Sequence, residues 1–138
     1  MQTTLTFIGK IRTPYKSLDE CPRNINFNGP ECTIELDPAY QHDLKGLETG
    51  QHIMVLYWLG DTGNIWNNDY WHNGKPSTSR GDKGTFALRS PIRPNPIGVA
   101  VLPISKITAD RITVNGLDCL DQTKLLDIKP AIYREITN

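Results

Sequence analysis

The sequence has few cysteines and no long apolar segment. Its three cysteines, Cys21, Cys32 and Cys119, form no CxxC pair, so neither a disulfide framework nor a metal site is predicted, and a reducing cytoplasm is expected. The longest apolar run, Ile53–Leu59, is far shorter than a membrane span. Residues 1–10 lack the basic start and apolar core of a signal peptide. We therefore expect a cytoplasmic protein that does not cross a membrane.

An excess of charge of either sign is also absent, because 15 basic side chains balance 15 acidic ones. No global field therefore draws the protein to nucleic acid or to a membrane surface. The basic residues are nevertheless unevenly distributed along the chain, and six of them form two groups: Arg80, Lys83, Arg89 and Arg93, then Lys124 and Lys129. This grouping allows a local basic face on a neutral protein.

Several catalytic motifs are missing from the sequence. It contains no GxGxxG, P-loop, GxSxG or HExxH pattern. His42, His52 and His72 lie in separate segments, and no spacing supports a metal site or a Cys–His nucleophile pair. Chemistry that depends on a covalent nucleophile or on a metal ion is therefore disfavoured.

The hydrophobic pattern predicts a mainly β protein with one domain over residues 1–138. One helix is predicted between Asp37, which can cap it, and Gly50, with Pro38 in its first position. Short strands are predicted at Leu5–Ile11, Thr33–Leu36, Ile53–Leu59, Val99–Ile104, Ile112–Val114 and Asp127–Ile132. Because no βαβ rhythm is present, these elements favour a small barrel or sandwich.

Residues 60–83 form a long polar insertion that carries three large aromatics, Trp66, Tyr70 and Trp71. Loops of this length are usually functional or disordered. Since disordered segments rarely keep such aromatics, we predict a lid, a hairpin or a surface that faces a partner. A hairpin whose aromatics only cover one end of the barrel is the alternative.

Residues 84–99, GTFALRSPIRPNPIGV, form the most informative stretch. Proline fixes φ and removes a backbone donor, so three prolines within six residues make a stiff, extended loop. Such a loop can hold Arg89, Arg93 and Asn95 in fixed positions for a ligand. The alternative is a proline-rich corner that only joins two strands.

A second polar cluster lies within Leu117–Pro130. Residues 121–123 (Asp-Gln-Thr) are typical of a turn, because Asp can hydrogen-bond nearby backbone. Asp127 and Lys129 alternate along one predicted strand, so they are either site residues or a surface ion pair.

Five segments together resemble the TsaA-like (TrmO) family of tRNA methyltransferases. They are IGKIRTPY (8–15), CPRN (21–24), HIMVLYWL (52–59), FALRSPIRPNPIG (86–98) and LDIKP (126–130). The resemblance is collinear over nearly the whole chain. It implies a small antiparallel β-barrel with one or two short helices, which binds S-adenosylmethionine and is usually a homodimer with the site near the subunit interface. It also implies methylation of the exocyclic nitrogen of threonylcarbamoyladenosine, beside the tRNA anticodon.

The resemblance also assigns residues by position. Contacts with the cofactor are expected from Pro22, Arg23, Asn24, Gly60, Asp61, Arg89, Leu117, Asp118, Cys119 and Leu120. The acceptor surface is expected to comprise Arg93, Asn95, Asp127 and Lys129. Methyl transfer from a sulfonium is an in-line displacement that requires alignment more than a protein nucleophile. Arg23 or Arg89 can hold the cofactor's carboxylate through paired hydrogen bonds.

The chain departs from the family pattern at three places. Asn24 replaces a glutamine, Gly60-Asp61 replaces His-Gln, and Asp121-Gln122-Thr123-Lys124 stands where relatives have Asp-Gly-Thr-Pro. We expect cofactor binding to survive these changes more readily than the identity of the methyl acceptor.

Three functions follow from these observations. The first is a tRNA methyltransferase in which an aromatic of the 60–83 insertion supports the target base and Arg80, Lys83, Arg93 and Lys124 contact phosphates. The second is a methyltransferase of the same fold with a small-molecule acceptor. The third is a non-enzymatic sensor that binds the cofactor and signals through residues 60–83.

Overall fold

The computed structural model describes residues 2–61, 82–132 and 135–136, together with the backbone of 71–72 and 75–76. Its strands are β1 (Gly9–Arg12), β2 (Glu31–Leu36), β3 (His52–Trp58), β4 (Trp71–His72), β5 (Lys75–Pro76), β6 (Ile97–Pro103), β7 (Lys106–Ile107), β8 (Arg111–Asn115) and β9 (Thr123–Pro130). Short 3-10 helices occur at Leu18–Glu20, Pro38–Leu44 and Thr85–Ala87. None of the helices in these ranges is long and apolar enough to span a membrane.

Seven strands form one antiparallel sheet in the order β6-β3-β9-β1-β2-β8-β7. The chain runs from β6 directly into β7, yet β6 pairs with β3 at one margin and β7 pairs with β8 at the other. The sheet therefore curls into a half-barrel whose margins are linked by residues 97–107. This confirms the predicted mainly β fold.

The core follows the period-two pattern of the strands. In β3, Ile53, Val55 and Tyr57 point inward and are at most 3% exposed, while the alternate residues lie partly exposed on the outer face. Residues with the same inward orientation on other strands are fully buried: Ile11, Ile34, Leu102, Ile112, Val114 and Leu125. The apolar run at 53–59 predicted a strand inside the sheet, and β3 indeed lies between β6 and β9.

The structure corrects the predicted ends of three elements. The first strand begins at Gly9 rather than Leu5, whose side chain is 53% exposed. The last strand begins at Thr123, four residues before the predicted start. The helix exists, but it is a 3-10 helix that ends at Leu44, and the side chain of Asp37 makes no capping hydrogen bond.

The antiparallel pairing places three long connections at one edge of the sheet, which we call the loop edge. The strands β1, β3 and β8 end there, and β2, β6 and β9 begin there. The loop edge therefore carries the connections 13–30, 59–96 and 116–122. The opposite edge carries the connections 37–51 and 104–110. The short strand β7 lies within the second of these connections.

Within the 60–83 insertion, β4 pairs with β5 as a two-stranded antiparallel ribbon. This backbone pairing agrees with a hairpin, which is one of the structures predicted for the insertion. Trp66, Tyr70 and Arg80, to which base and phosphate contacts were assigned, lie outside the described residues. Their roles stay predictions.

Candidate cofactor site at the loop edge

The loop edge is held together by Thr13 and Asp121. The Thr13 hydroxyl donates to the carbonyl of Cys119 at 2.9 Å, and its backbone N–H donates to Asp121 Oδ1 at 3.0 Å. Lys16 Nζ contacts Asp121 Oδ2 at 2.6 Å. This hydrogen bond from Lys16 is the main reason that the pKa of Asp121 is lowered. The turn predicted at 121–123 is present, with Gln122 at a φ of 70°, and it is fixed to the end of β1.

Tyr57 and Asp118 meet beneath these loops. The Tyr57 hydroxyl donates to Asp118 Oδ1 at 2.8 Å, and the tyrosine is only 3% exposed. Burial raises the pKa of Tyr57, and the Asp118 carboxylate raises it further, whereas the charge of Arg89 lowers it. The phenol is therefore neutral and orients the carboxylate of Asp118. Arg89, from the proline-rich loop, therefore lies near enough for its charge to act on Tyr57.

Gly98 permits this arrangement, because the ring of Tyr57 packs directly on its backbone. A Cβ at Gly98 would lie 2.3 Å from the Tyr57 ring, a distance that real contacts essentially never show. The contact between Tyr57 and Gly98 thus joins the end of β3 to the start of β6. Sequence reasoning missed Tyr57, because it appeared as one more residue in an apolar run. The signal that could have revealed it is that a buried tyrosine hydroxyl needs a hydrogen-bond acceptor.

The segment that contains Pro22, Arg23 and Asn24 follows Cys21. Burial raises the pKa of Cys21, and the nearby carboxylate of Asp118 raises it further. The predicted contacts at 22–24 therefore begin directly after a residue that lies within the electrostatic influence of Asp118. A tight backbone packing fixes the rest of this connection, since Asn26 N donates to Gly116 O at 2.9 Å and Gly116 N donates to Pro30 O at 2.9 Å.

All three cysteines are free thiols near the loop edge. Burial raises the pKa of Cys32, and it raises that of Cys119 to about 12. These thiols stay protonated at neutral pH, so none is an activated nucleophile. Among the described residues, no three His, Cys, Asp or Glu side chains form a group that could hold a metal ion.

The proline-rich loop is braced from within by Arg93. Its guanidinium donates to the carbonyls of Ser90 at 2.7 Å, Leu88 at 3.0 Å and Thr85 at 3.3 Å. Arg89 and Asn95 are exposed, and Arg89 forms no ion pair with the described residues. The geometry of Arg93 is that of a loop brace, and its predicted contact with the acceptor stays a prediction.

Gly60 and Asp61 follow β3 at the loop edge. Asp61 Oδ2 lies 2.8 Å from Lys124 Nζ, and a Cβ at Gly60 would lie 2.6 Å from the Trp58 indole. Two departures from the family pattern, at positions 61 and 124, therefore form one ion pair. The carboxylate of Asp61 faces the outer side of the sheet in this arrangement.

Asp127 and Lys129 are not brought together with Arg93 and Asn95. A β-bulge at Leu126 precedes them in β9, where Asp127 pairs with Leu56 and Lys129 with Met54. Lys129 Nζ lies 2.9 Å from Asp127 Oδ2, so they form the ion pair that was one of the two alternatives. Lys129 lies five residues beyond Lys124, roughly 16 Å along the strand.

A separate cleft of about 480 Å³ lies at the opposite edge of the half-barrel. It is formed by the 3-10 helix Pro38–Leu44 and the second half of β9. Its walls are mostly apolar, and they include Ile8, Leu36, Tyr40, Leu44, Leu47 and Ile128. Of the predicted site residues, only Asp127 lines it.

The curled antiparallel sheet, with the Tyr57–Asp118 pair and the proline-rich loop at one edge, defines the class as a small half-barrel β fold. Residues 10–135 match the family model described as "tRNA-methyltransferase O N-terminal domain". The chain belongs to this family, which confirms the predicted TsaA-like (TrmO) membership.

Individual relatives agree with the family match. A protein of Rhizobium radiobacter, named as the probable S-adenosyl-L-methionine-binding protein VirR, is 42% identical over 127 residues, or 92% of this chain and 70% of its own. The tRNA (adenine(37)-N6)-methyltransferase of Mus musculus is 35% identical over 107 residues, or 77% of this chain and 22% of its own.

The crystal structure of TrmO from Pseudomonas aeruginosa is similar to this fold with a TM-score of 0.73 and 30% identity. The similarity covers 96% of this chain and 57% of the Pseudomonas chain. The present chain thus spans little more than half of that protein's length. That residues 1–138 form one domain stays a prediction.

Proposed function

We propose that this chain is an S-adenosylmethionine-dependent methyltransferase that binds its cofactor at the loop edge and methylates N6 of adenosine 37 in tRNA. The observation that carries the proposal is the hydrogen bond between Tyr57 and Asp118 at the loop edge, where the charge of Arg89 acts on Tyr57. The family match and the names of the relatives support the reaction class. The finer proposal is that the acceptor adenosine carries a threonylcarbamoyl group.

The chemistry of the loop edge fits this cofactor. Asp118 has one carboxylate oxygen bonded to Tyr57, and its second oxygen can accept from ribose hydroxyls or an amine. The exposed guanidinium of Arg89 can bind a carboxylate through paired, charge-assisted hydrogen bonds. Arg23 and the backbone of 117–120 supply further donors and acceptors. When bound, S-adenosylmethionine supplies an electrophilic methyl group on a sulfonium.

The residues of the chain act by alignment. In the transfer, the carbon–sulfur bond breaks as a bond from the acceptor nitrogen to the methyl carbon forms, and that nitrogen then loses a proton. Loops fixed by Thr13, Asp121 and Arg93 hold the binding groups in place, so little reorganisation is needed before the displacement. The protonated thiols agree with a direct transfer that involves no covalent enzyme intermediate.

We also infer a homodimer whose interface lies on the outer face of β6 and β3 away from Trp58, centred on the register pairs Met54–Val101 and Leu56–Val99. The apolar side chains of these four residues are partly exposed. A contiguous apolar face of this kind is characteristic of a protein interface. Val101→Asp is expected to yield a monomer in analytical ultracentrifugation, whereas Thr113→Asp, on the outer face of β8, leaves the dimer intact. A monomeric parent chain would end this inference.

The function is tested with tRNA that carries or lacks the threonylcarbamoyl group and with isotope-labelled S-adenosylmethionine. The expected result is label on N6 of adenosine 37, identified by mass spectrometry of the nucleosides, with the modified tRNA strongly preferred. Label on unmodified tRNA alone would remove the finer proposal. Binding of the cofactor without transfer to either tRNA would favour a small-molecule acceptor or a sensor and overturn the tRNA proposal.

A further inference from the structure

We propose that a row of side chains on the outer face of the sheet is the surface on which the RNA acceptor lies. The row consists of Trp58, Lys124 and Lys10, with Phe7 packed against it, and we call it the outer row. Its ligand is a single-stranded or looped polyribonucleotide, whose bases stack on the aromatics and whose phosphates contact the lysines. This inference rests on the proposed function for the identity of the RNA.

The register of the sheet creates the outer row. Trp58 of β3 is directly opposite Lys124 of β9, and Lys124 is directly opposite Lys10 of β1. Neighbouring strands lie about 4.8 Å apart, so the three side chains span roughly 10 Å on one face. They share the outer side, because the residues that flank them, Ile11 and Leu125, are fully buried inside.

The two lysines carry charge that the protein only partly neutralises. Directly opposed like charges in adjacent strands are destabilising. Lys124 is paired with Asp61 at 2.8 Å, but Lys10 forms no ion pair with the described residues. The neighbour of Lys10 on β2, Glu35, is paired with Arg12 instead. A phosphate between Lys10 and Lys124 would relieve their repulsion.

The aromatic part of the outer row lies beside these charges. The rings of Phe7 and Trp58 have centroids 6.4 Å apart and are tilted by 50°. Lys124 Nζ lies 5.0 Å from the centroid of Phe7. Both aromatics are partly exposed. Aromatic faces next to lysines are the combination by which proteins bind single-stranded nucleic acid.

The outer row also lies next to the candidate cofactor site. Trp58 is the last residue of β3 and Lys124 is the second of β9, so both are at the loop edge. Asp61 links the row to the connection that follows β3. An RNA loop held on the outer row therefore has a base within reach of the cofactor loops.

Charge complementarity favours RNA over a second copy of the chain on this surface. A two-fold interface would bring the same lysines to face the same patch. Among the described residues, Asp61 and Glu35 are the carboxylates beside the outer row, and both are already paired with cations, Asp61 with Lys124 and Glu35 with Arg12. A polyanion has no such conflict.

The test measures binding of an RNA hairpin with an anticodon-like loop as a function of salt, with fluorescence anisotropy as the readout. We expect Lys10→Gln and Lys124→Gln each to weaken binding about tenfold at low salt and to reduce the log–log salt slope by about 0.7–0.9. Lys45→Gln, at the opposite edge, is the matched control and changes neither value. Asp61→Asn frees Lys124, so binding should become several-fold tighter.

The aromatic contribution is tested with Phe7→Ala against Leu5→Ala, since Leu5 is exposed two residues earlier. Loss of a stacked base is expected to weaken binding at least fivefold without altering the salt slope, whereas Leu5→Ala has no effect. Thermal unfolding of each variant confirms that it is folded.

The possible failures are distinguishable. If both lysine variants bind RNA with unchanged affinity and salt slope while methylation of tRNA persists, the outer row is wrong and the proposed function stands. If the parent chain neither binds the hairpin nor methylates tRNA, both proposals fail. If the lysine variants change the oligomeric state in analytical ultracentrifugation instead of RNA affinity, the surface is an interface between copies and this inference is overturned.

Discussion

The two edges of the half-barrel hold different kinds of site. The opposite edge contains a cavity of about 480 Å³ with mostly apolar walls. The loop edge contains Tyr57 bonded to Asp118, two connections joined by Thr13 and Asp121, and a proline-rich loop braced from within by Arg93. The difference teaches why we propose the loop edge, and not the apolar cavity, as the cofactor site: a cofactor that carries charged and polar groups needs oriented polar partners.

Two glycines with similar backbone conformations give the sharpest comparison of the edges. Gly116, at the loop edge, has a φ of 85°, and a Cβ there would lie 1.5 Å from the carbonyl oxygen of Asn26. Gly46, at the opposite edge, has a φ of 101° and no heavy atom within 4 Å of that position. We expect Gly116→Ala to lower the free energy of unfolding by more than about 3 kcal/mol and Gly46→Ala by about 1 kcal/mol.

Urea unfolding measures both variants. Equal losses would show that the close packing of Gly116 against Asn26 adds nothing to the cost of the left-handed conformation.

The comparison is extended to ligand binding by Arg89. Arg89→Ala is expected to weaken binding of S-adenosylmethionine by about 2 kcal/mol, or roughly thirtyfold, because a charge-assisted hydrogen bond to the cofactor's carboxylate is lost. Lys45→Ala removes a cation at the opposite edge and leaves the dissociation constant unchanged. Isothermal titration calorimetry measures the dissociation constant of each variant. A cofactor that binds the Arg89 variant normally, or the Lys45 variant poorly, would place the site elsewhere.

Arg93 tests how much the rigidity of the loop matters. Arg93→Ala removes three hydrogen bonds to carbonyls in the loop that carries Arg89. We expect about 1 kcal/mol weaker cofactor binding, or roughly fivefold, with an unchanged KM for the acceptor. Steady-state kinetics with each substrate varied gives both values. A raised acceptor KM with normal cofactor binding would instead support the acceptor contact predicted from the sequence.

The smallest expected effect concerns how the free energy of unfolding depends on pH at acid pH. Because Lys16 lowers the pKa of Asp121 in the folded chain, this carboxylate stabilises the fold above its unfolded pKa of 3.8. This stabilisation is lost as the pH falls from 3.8 through the lower pKa that Asp121 has in the folded chain. Asp121→Asn should cost about 1 kcal/mol at neutral pH and make stability less dependent on pH below 4.

Lys16→Gln is the companion variant and should reproduce part of this change. Urea unfolding at a series of pH values gives the measurement. An Asp121→Asn variant with the acid dependence of the parent chain would show that the Lys16 contact does not shift the titration.

The sequence patterns predicted the interior of the fold better than its margins. The apolar run of β3 and the alternation in β2 and β8 identify strands, because burial on one or both faces fixes the residue type. The alternation at Leu5–Phe7 was misleading, since a strand also needs a partner and only Ile8 extends the pairing before Gly9. The start of β9 was missed because Thr123 and Lys124 directly follow a turn residue with positive φ.

The candidate site was predictable in part. The resemblance named the loops that meet at the loop edge, and the antiparallel order of the strands explains why they meet. It did not indicate Tyr57, whose role depends on Asp118 from a connection 61 residues away. Nor did the sequence reveal that Arg93 bonds to its own loop. Both facts depend on side-chain directions that no spacing rule supplies.

The strip of residues 97–107 has a consequence for the behaviour of the protein in a crowded solution. Open β-sheets are prone to aggregation, because their border strands offer unpaired amide and carbonyl groups to foreign strands. Here one continuous strip forms both borders. One border terminates in Pro103, which has no N–H to offer, and the other is only two residues long. The same curvature that gathers the loops thus protects the chain from joining strands with its neighbours.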